Sequence, residues 1–146
     1  MKRLFLLVAV IGFIQISCTK TNCGDSKPDS LAGKWRMILV KDNASGSTIS
    51  KPPSISGEVE ITFTPVSNTN GNFAGNTPSN EIMKNDYSIG ANQSITIPVL
   101  SMSKVSETSW GNEFVANIRS AEEYNFENDN TLRIRTANKT LSFRKL

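Results

Sequence analysis

The side chains that could do chemistry are few. Among 146 residues there is no histidine, which excludes a Ser/His/Asp triad, a Cys/His dyad and His-ligated zinc or haem iron. Two cysteines remain, Cys18 and Cys23. Cys18 follows Met1-Lys2-Arg3, an apolar run over residues 4–14, and Gln15-Ile16-Ser17. A basic start, an apolar stretch shorter than the roughly 20 residues of a membrane span, and a small residue before a cysteine read as a lipoprotein signal peptide over residues 1–17, cleaved after Ser17. Gln15 stands where leucine is usual. Acylation of Cys18, palmitate included, would attach the chain to a membrane, each buried methylene contributing about 0.8 kcal/mol. Thr19, in place of the aspartate that retains such proteins at the inner membrane, directs the expectation to the outer membrane of the cell envelope. Cys23 then lacks an intrachain partner and reads as a solvated linker cysteine.

The carboxylates do not form a catalytic pair. Glu122 and Glu123 are strand neighbours and point to opposite faces, whereas Glu58 and Glu60 share a face that reads as the solvated side of a strand. The run Glu127-Asn128-Asp129-Asn130 lacks the Asp-x-Asp-x-Asp-Gly spacing and closing Glu of a calcium loop, and reads as a turn. No metal-ligand set, cofactor or catalytic residue emerges, so the chain is read as a non-enzyme. Charge argues against nucleic acid as well. Without residues 1–17 the chain carries 14 basic and 13 acidic side chains, a net charge of +1, and no basic cluster that could neutralise a run of phosphates.

Aromatic side chains are the remaining candidates. Trp35, Phe63, Trp110, Phe114 and Phe126 are either core or the lining of a barrel mouth that holds an apolar molecule. The amide- and hydroxyl-rich stretch over residues 68–80 around Phe73 suits sugar or peptide contacts, and equally ordinary turns.

The elements that position these residues follow from periodicity. Residues 19–30 are polar apart from Cys23, so residues 18–30 read as a lipidated cysteine and flexible tether. From Leu31 to Leu146, about 116 residues, one domain is expected. Alternation predicts a strand over 33–41 with Trp35, Met37 and Leu39 on one face, and another over 58–64 with Val59, Ile61 and Phe63 inward. A loop with Pro52 and Pro53 covers 42–56. Further strands are predicted over 72–75, 86–89, 94–99, 122–127, 131–136 and 140–145. The last three are joined by Asn128-Asp129-Asn130 and Ala137-Asn138-Lys139 as an antiparallel meander. One segment has helical period: Trp110, Phe114, Ile118 and Ala121, spaced i, i+4, i+8 and i+11 with Ser109 as N-cap, predict an amphipathic helix of about three turns. Such a helix plugs or flanks a part-open barrel.

This order of pieces resembles the META domain family of HslJ-like bacterial lipoproteins over nearly all of residues 31–146. The likeness is carried by Leu31-x-Gly33-x-Trp35, Ile61-Thr62-Phe63, Gly71-x-Phe73-Ala74-Gly75-Asn76 and Asp86-Tyr87-Ser88-Ile89. Glu113-Phe114-x3-Ile118, Tyr124-x-Phe126, Thr131-Leu132 and Leu141-x-Phe143 continue it. Gly75 is followed directly by Asn76 where the family has an intervening cysteine, and residues 104–109 lack the cysteine common before the helix, so a disulfide joining those positions in relatives cannot form here. The resemblance implies a mainly β fold, a cracked antiparallel barrel or strongly twisted sheet with one helix, similar also to the pilot lipoproteins of type III secretion. It implies a lipid-anchored envelope module linked with stress or drug tolerance, with no catalytic set, partnered with the membrane through Cys18 and with an unidentified envelope protein. The alternative is a lipocalin-like carrier of a small apolar ligand or lipid, because Gly33-Lys34-Trp35 fits that superfamily's Gly-x-Trp and Arg144 is placed to cover the Trp. Against it, the chain is short for eight long strands, and the helix precedes the last three strands.

Overall fold

The structure is a computed structural model and describes residues 31–146; Cys18, Cys23, the signal segment and the tether lie outside the described residues. Among the described residues nine antiparallel strands form one sheet: β1 (Gly33–Asp42), β2 (Thr48–Ile49), β3 (Glu60–Pro65), β4 (Asn70–Asn76), β5 (Glu81–Ile89), β6 (Ile95–Thr96), β7 (Ala121–Asn128), β8 (Thr131–Thr136) and β9 (Lys139–Lys145). Helix α1 (Ser109–Ile118) lies between β6 and β7. Across the sheet the order is β6-β5-β4-β3-β1-β9-β8-β7, with β2 paired to β1. Two meanders, β3 to β6 and β7 to β9, thus flank β1. The two ends of the sheet meet at a single bridge between Ser94 and Glu123, giving a nearly closed barrel-like sheet with one helix, as the sequence patterning predicts.

Alternation places Val59, Ile61 and Phe63 in the core as expected. On β1 the expected face is corrected. Trp35 and Met37 are buried, but a bulge between Met37 and Leu39, opposite Phe143 and Ser142, inserts one residue into the ladder. One extra residue reverses every side chain beyond it, so Val40 points inward and Leu39 outward. The strand predicted over 94–99 shrinks to Ile95–Thr96. Beyond it the chain runs beside β5 instead, through Met83 N–H to Ser101 O at 3.0 Å and Ser103 N–H to Glu81 O at 3.0 Å. β5 accordingly starts at Glu81, five residues before the predicted Asp86.

The core is continuous and aromatic. Phe63 packs against Phe73 at 5.6 Å and edge-on to Tyr87 at 5.2 Å. Tyr87 lies across Gly71, its cross-strand partner; a Cβ there would stand 2.5 Å from the ring, so only glycine leaves the space. Trp35 donates its indole N–H to Leu31 O at 2.8 Å. Lys145, not Arg144, lies over the Trp35 ring, 5.4 Å from its centre, because Lys145 is the residue directly opposite Trp35 in the β1–β9 ladder and Arg144 stands opposite Arg36.

Helix α1 buries Trp110, Phe114 and Ile118, the predicted stripe. Its N-cap is Thr108 rather than Ser109, the Thr108 hydroxyl accepting from Gly111 N–H at 3.1 Å, and Ala121 opens β7 instead of closing the helix. The face read as solvated, Glu58 with Glu60, is ion-paired. Lys34 and Arg36 reach Glu60 at 2.6 and 2.7 Å, and Lys51 reaches Glu58 at 2.7 Å. The hydrogen bonds from Lys34 and Arg36 hold the Glu60 carboxyl below its ordinary range.

A polar latch fixes the start of the helix. The Glu107 carboxylate accepts from the Thr77 hydroxyl, from Asn80 Nδ2 at 2.9 Å and from Thr108 N–H at 2.9 Å, while Asn80 Oδ1 accepts from Val105 N–H at 2.7 Å. Burial opposes charge at Glu107, yet the hydrogen bonds from Thr77, Asn80 and Thr108 prevail and keep its carboxyl below the ordinary value of 4.5. A lowered carboxyl contributes stability that is whole above its ordinary value and is lost as pH falls through the folded-state value. Hydrogen-exchange protection of the Gly111 amide should therefore fall below about pH 4.5. In Glu107→Gln that acid step should be absent, with protection lower at every pH; an unchanged pH profile would remove Glu107 from this role.

Candidate functional site

The barrel has a seam, and the seam is where the aromatic side chains reach solvent. One edge of β7 pairs with β8 along its length. The other makes the bridge from Glu123 to Ser94, and beyond it, among the described residues, no strand pairs with β7 from Tyr124 to Asn128. Sequence forces the side chains there into two sets. Tyr124 and Phe126 alternate inward, while Asn125 and Glu127 point out and are exposed. At the end of a sheet no further strand covers the inward pair, so both rings remain half-buried. Tyr124 stands edge-on to Phe126 at 5.9 Å, and Phe126 tilts against Trp35 at 5.8 Å. Burial pushes the Tyr124 phenol above its ordinary value, so it stays a neutral donor and acceptor.

The facing lip is a one-turn 3-10 helix, Ala91–Gln93. Asn92 and Gln93 both take the left-handed conformation there, at φ 56° and 59°, a cost of about 1 kcal/mol or more each for residues that carry a Cβ. All three residues are exposed. Along β7 the rim charges are neutralised on the sheet itself, Glu123 by Arg135 at 2.7 Å and Glu127 by Arg133 at 2.8 Å. What the seam offers is a row of backbone donors and acceptors above two apolar rings, a geometry suited to receiving an extended chain.

Of the aromatic candidates read from sequence, Trp35, Phe63, Trp110 and Phe114 are buried in the core, each exposed by 2% or less. Phe126 lies at the seam. The structure brings Trp35 and Phe126 together; Phe63 belongs with Phe73 and Tyr87, and Phe114 packs edge-on to Phe143 at 6.5 Å. The Trp110 indole N–H is buried with no hydrogen-bond partner among the described residues. Tyr124 is the seam residue that the aromatic candidates omit. Its alternation with Phe126 was legible, but not that β7 ends the sheet. Among the described residues no group of three or more His, Cys, Asp or Glu side chains could hold a metal ion, and no helix is long and apolar enough to cross a membrane.

No known protein family and no curated protein matches this sequence. A solved structure does. The chain shares its fold with a DUF4847 family protein from Bacteroides vulgatus ATCC 8482. The likeness has a TM-score of 0.56 at 16% sequence identity and covers 78% of this chain and 92% of that one. At that identity what is shared is the backbone arrangement.

Proposed function

We propose that the protein is a non-enzymatic envelope lipoprotein of the META (HslJ-like) type, a stress-related docking module held at the outer membrane by acylated Cys18 and a tether over residues 18–30. Its working surface is the seam, where β7 takes an extended segment of a second envelope protein as an added strand. The observation that carries this reading is the unpaired β7 edge over half-buried Tyr124 and Phe126. A row of free N–H and C=O groups is matched by another backbone and not by a lipid tail, and apolar rings beneath it give the added strand side-chain contacts. The interior supports the same choice, because Trp35, Phe63, Phe73, Phe114 and Phe143 already fill it.

Two experiments test the reading. Cys18→Ser should release the protein from membranes, and persistent attachment would refute the lipid anchor. A photo-crosslinker at Asn125 in the native envelope should give one discrete adduct that is lost on Phe126→Asp, with the folded circular-dichroism spectrum kept and no adduct from the exposed Thr64 on β3. Equal labelling from both positions would sink the docking surface. A stoichiometric small-molecule adduct in a native mass spectrum would replace it with the apolar-ligand carrier.

A further inference from the structure

The outer face of the sheet holds a second feature, away from the seam. The bulge that turns Val40 inward leaves Leu39 and Lys41 on the outside of β1, opposite Ser142 and Thr140 of β9, which in turn face Arg133 and Arg135 of β8. A short side chain, Ser142, thus sits in a row between two long ones, Leu39 and Arg133. The result is a depression of about 180 Å³ lined by Leu39, Lys41, Asn43, Arg133, Thr140 and Ser142. That is too small for a whole drug-sized ligand and large enough for a single polar group with a few waters.

Its lining is a donor set. Ser142 is only 6% exposed, and its hydroxyl has no hydrogen-bond partner among the described residues. Lys41 has no carboxylate partner there either. Arg133 spends one guanidinium nitrogen on Glu127 at 2.8 Å and keeps other N–H donors of its fork. The rest of the wall is fixed, with the Thr140 hydroxyl donating to Asn43 Oδ1 at 2.7 Å and Asn43 Nδ2 donating to Thr136 O at 3.0 Å. Asp42, next in sequence to Lys41, turns to the other side of the strand and pairs with Lys139 at 3.6 Å. Two cations and one carboxylate leave the depression one positive charge in excess, beside a Ser142 hydroxyl that opens into it and has no protein partner among the described residues.

We propose that this depression binds a phosphate group, free or on a lipid headgroup, with Lys41 and Arg133 supplying charge and Ser142 a hydrogen bond at the floor. The test uses the full chain in neutral-detergent micelles, following backbone amide shifts while adding inorganic phosphate, and separately dihexanoyl phosphatidylglycerol with dihexanoyl phosphatidylcholine for comparison. Saturable shifts confined to residues 39–43, 133 and 140–142 are expected, with affinity lowered about tenfold by Lys41→Gln and more modestly by Ser142→Ala. Shifts with inorganic phosphate assign the site to the free ion; shifts with phosphatidylglycerol alone assign it to a headgroup. Absence of both, or affinities indifferent to Lys41→Gln, would overturn the proposal.

Discussion

Phe114→Ala should lower the unfolding free energy by about 3 to 5 kcal/mol in urea denaturation. Phe114 is fully buried at the middle of the α1 stripe, between Trp110 and Ile118, and meets Phe143 of β9 edge-on at 6.5 Å. Removing the ring forfeits its transfer from water and leaves a cavity between helix and sheet, which a helix bound at its start by the Glu107 latch cannot collapse to fill. Phe114→Leu should recover more than half of the loss, since it restores most of the volume. Denaturation of Phe114→Ala that matched the parent would mean the helix is not packed into the barrel.

Gly75→Ala should cost about 3 kcal/mol or more, for a different reason. Gly75 pairs with Ile61 across the β3–β4 ladder, and a Cβ there would lie 1.9 Å from Glu60 O and 2.9 Å from Ile61 Cα. These are backbone atoms, so no rotamer relieves the clash. β3 is also held in place, because Glu60 is clamped by Lys34 and Arg36 from β1. The two strands must part or shift register. Gly46→Ala is the control: nothing lies within 4 Å, and only its positive φ of 73° is strained, a cost of about 1 kcal/mol. Equal losses at the two positions, by the same denaturation assay, would show that the close approach of β3 and β4 is not a constraint.

How far the sequence could be read depended on whether a position answers to its own strand or to its neighbours. Val59, Ile61 and Phe63, and likewise Leu132 and Ile134, alternate without interruption and lie buried as periodicity predicts. Leu39 and Val40 could not be told apart, because the bulge that exchanges them is set by the pairing with Ser142 and Phe143 far along the chain. Asn85 looks like a surface residue, yet is 4% exposed and bonded to Met83 O and to Ser101. Such burial follows from the segment beside β5, which has no strand signature of its own. The helix stripe was plain, while the cap fell to Thr108 over the adjacent Ser109, two hydroxyls that propensity does not separate. For the site, Trp35 and Phe126 were visible as aromatic residues. That they meet at the barrel's seam depends on the sheet order, which places β7 last.

That same order dictates a timetable. β1 lies between β3 and β9, so the first strand described waits, during synthesis, for the ninth before it has both neighbours. Until then its long open flank, with Trp35 and Met37 along it, is a template for stray pairing. Contacts of such large sequence separation also fold slowly, since most of the loop must close before they form. Closure of the β1 flank therefore waits on the last strand, Lys139–Lys145, and a chain cut before that segment keeps the template open.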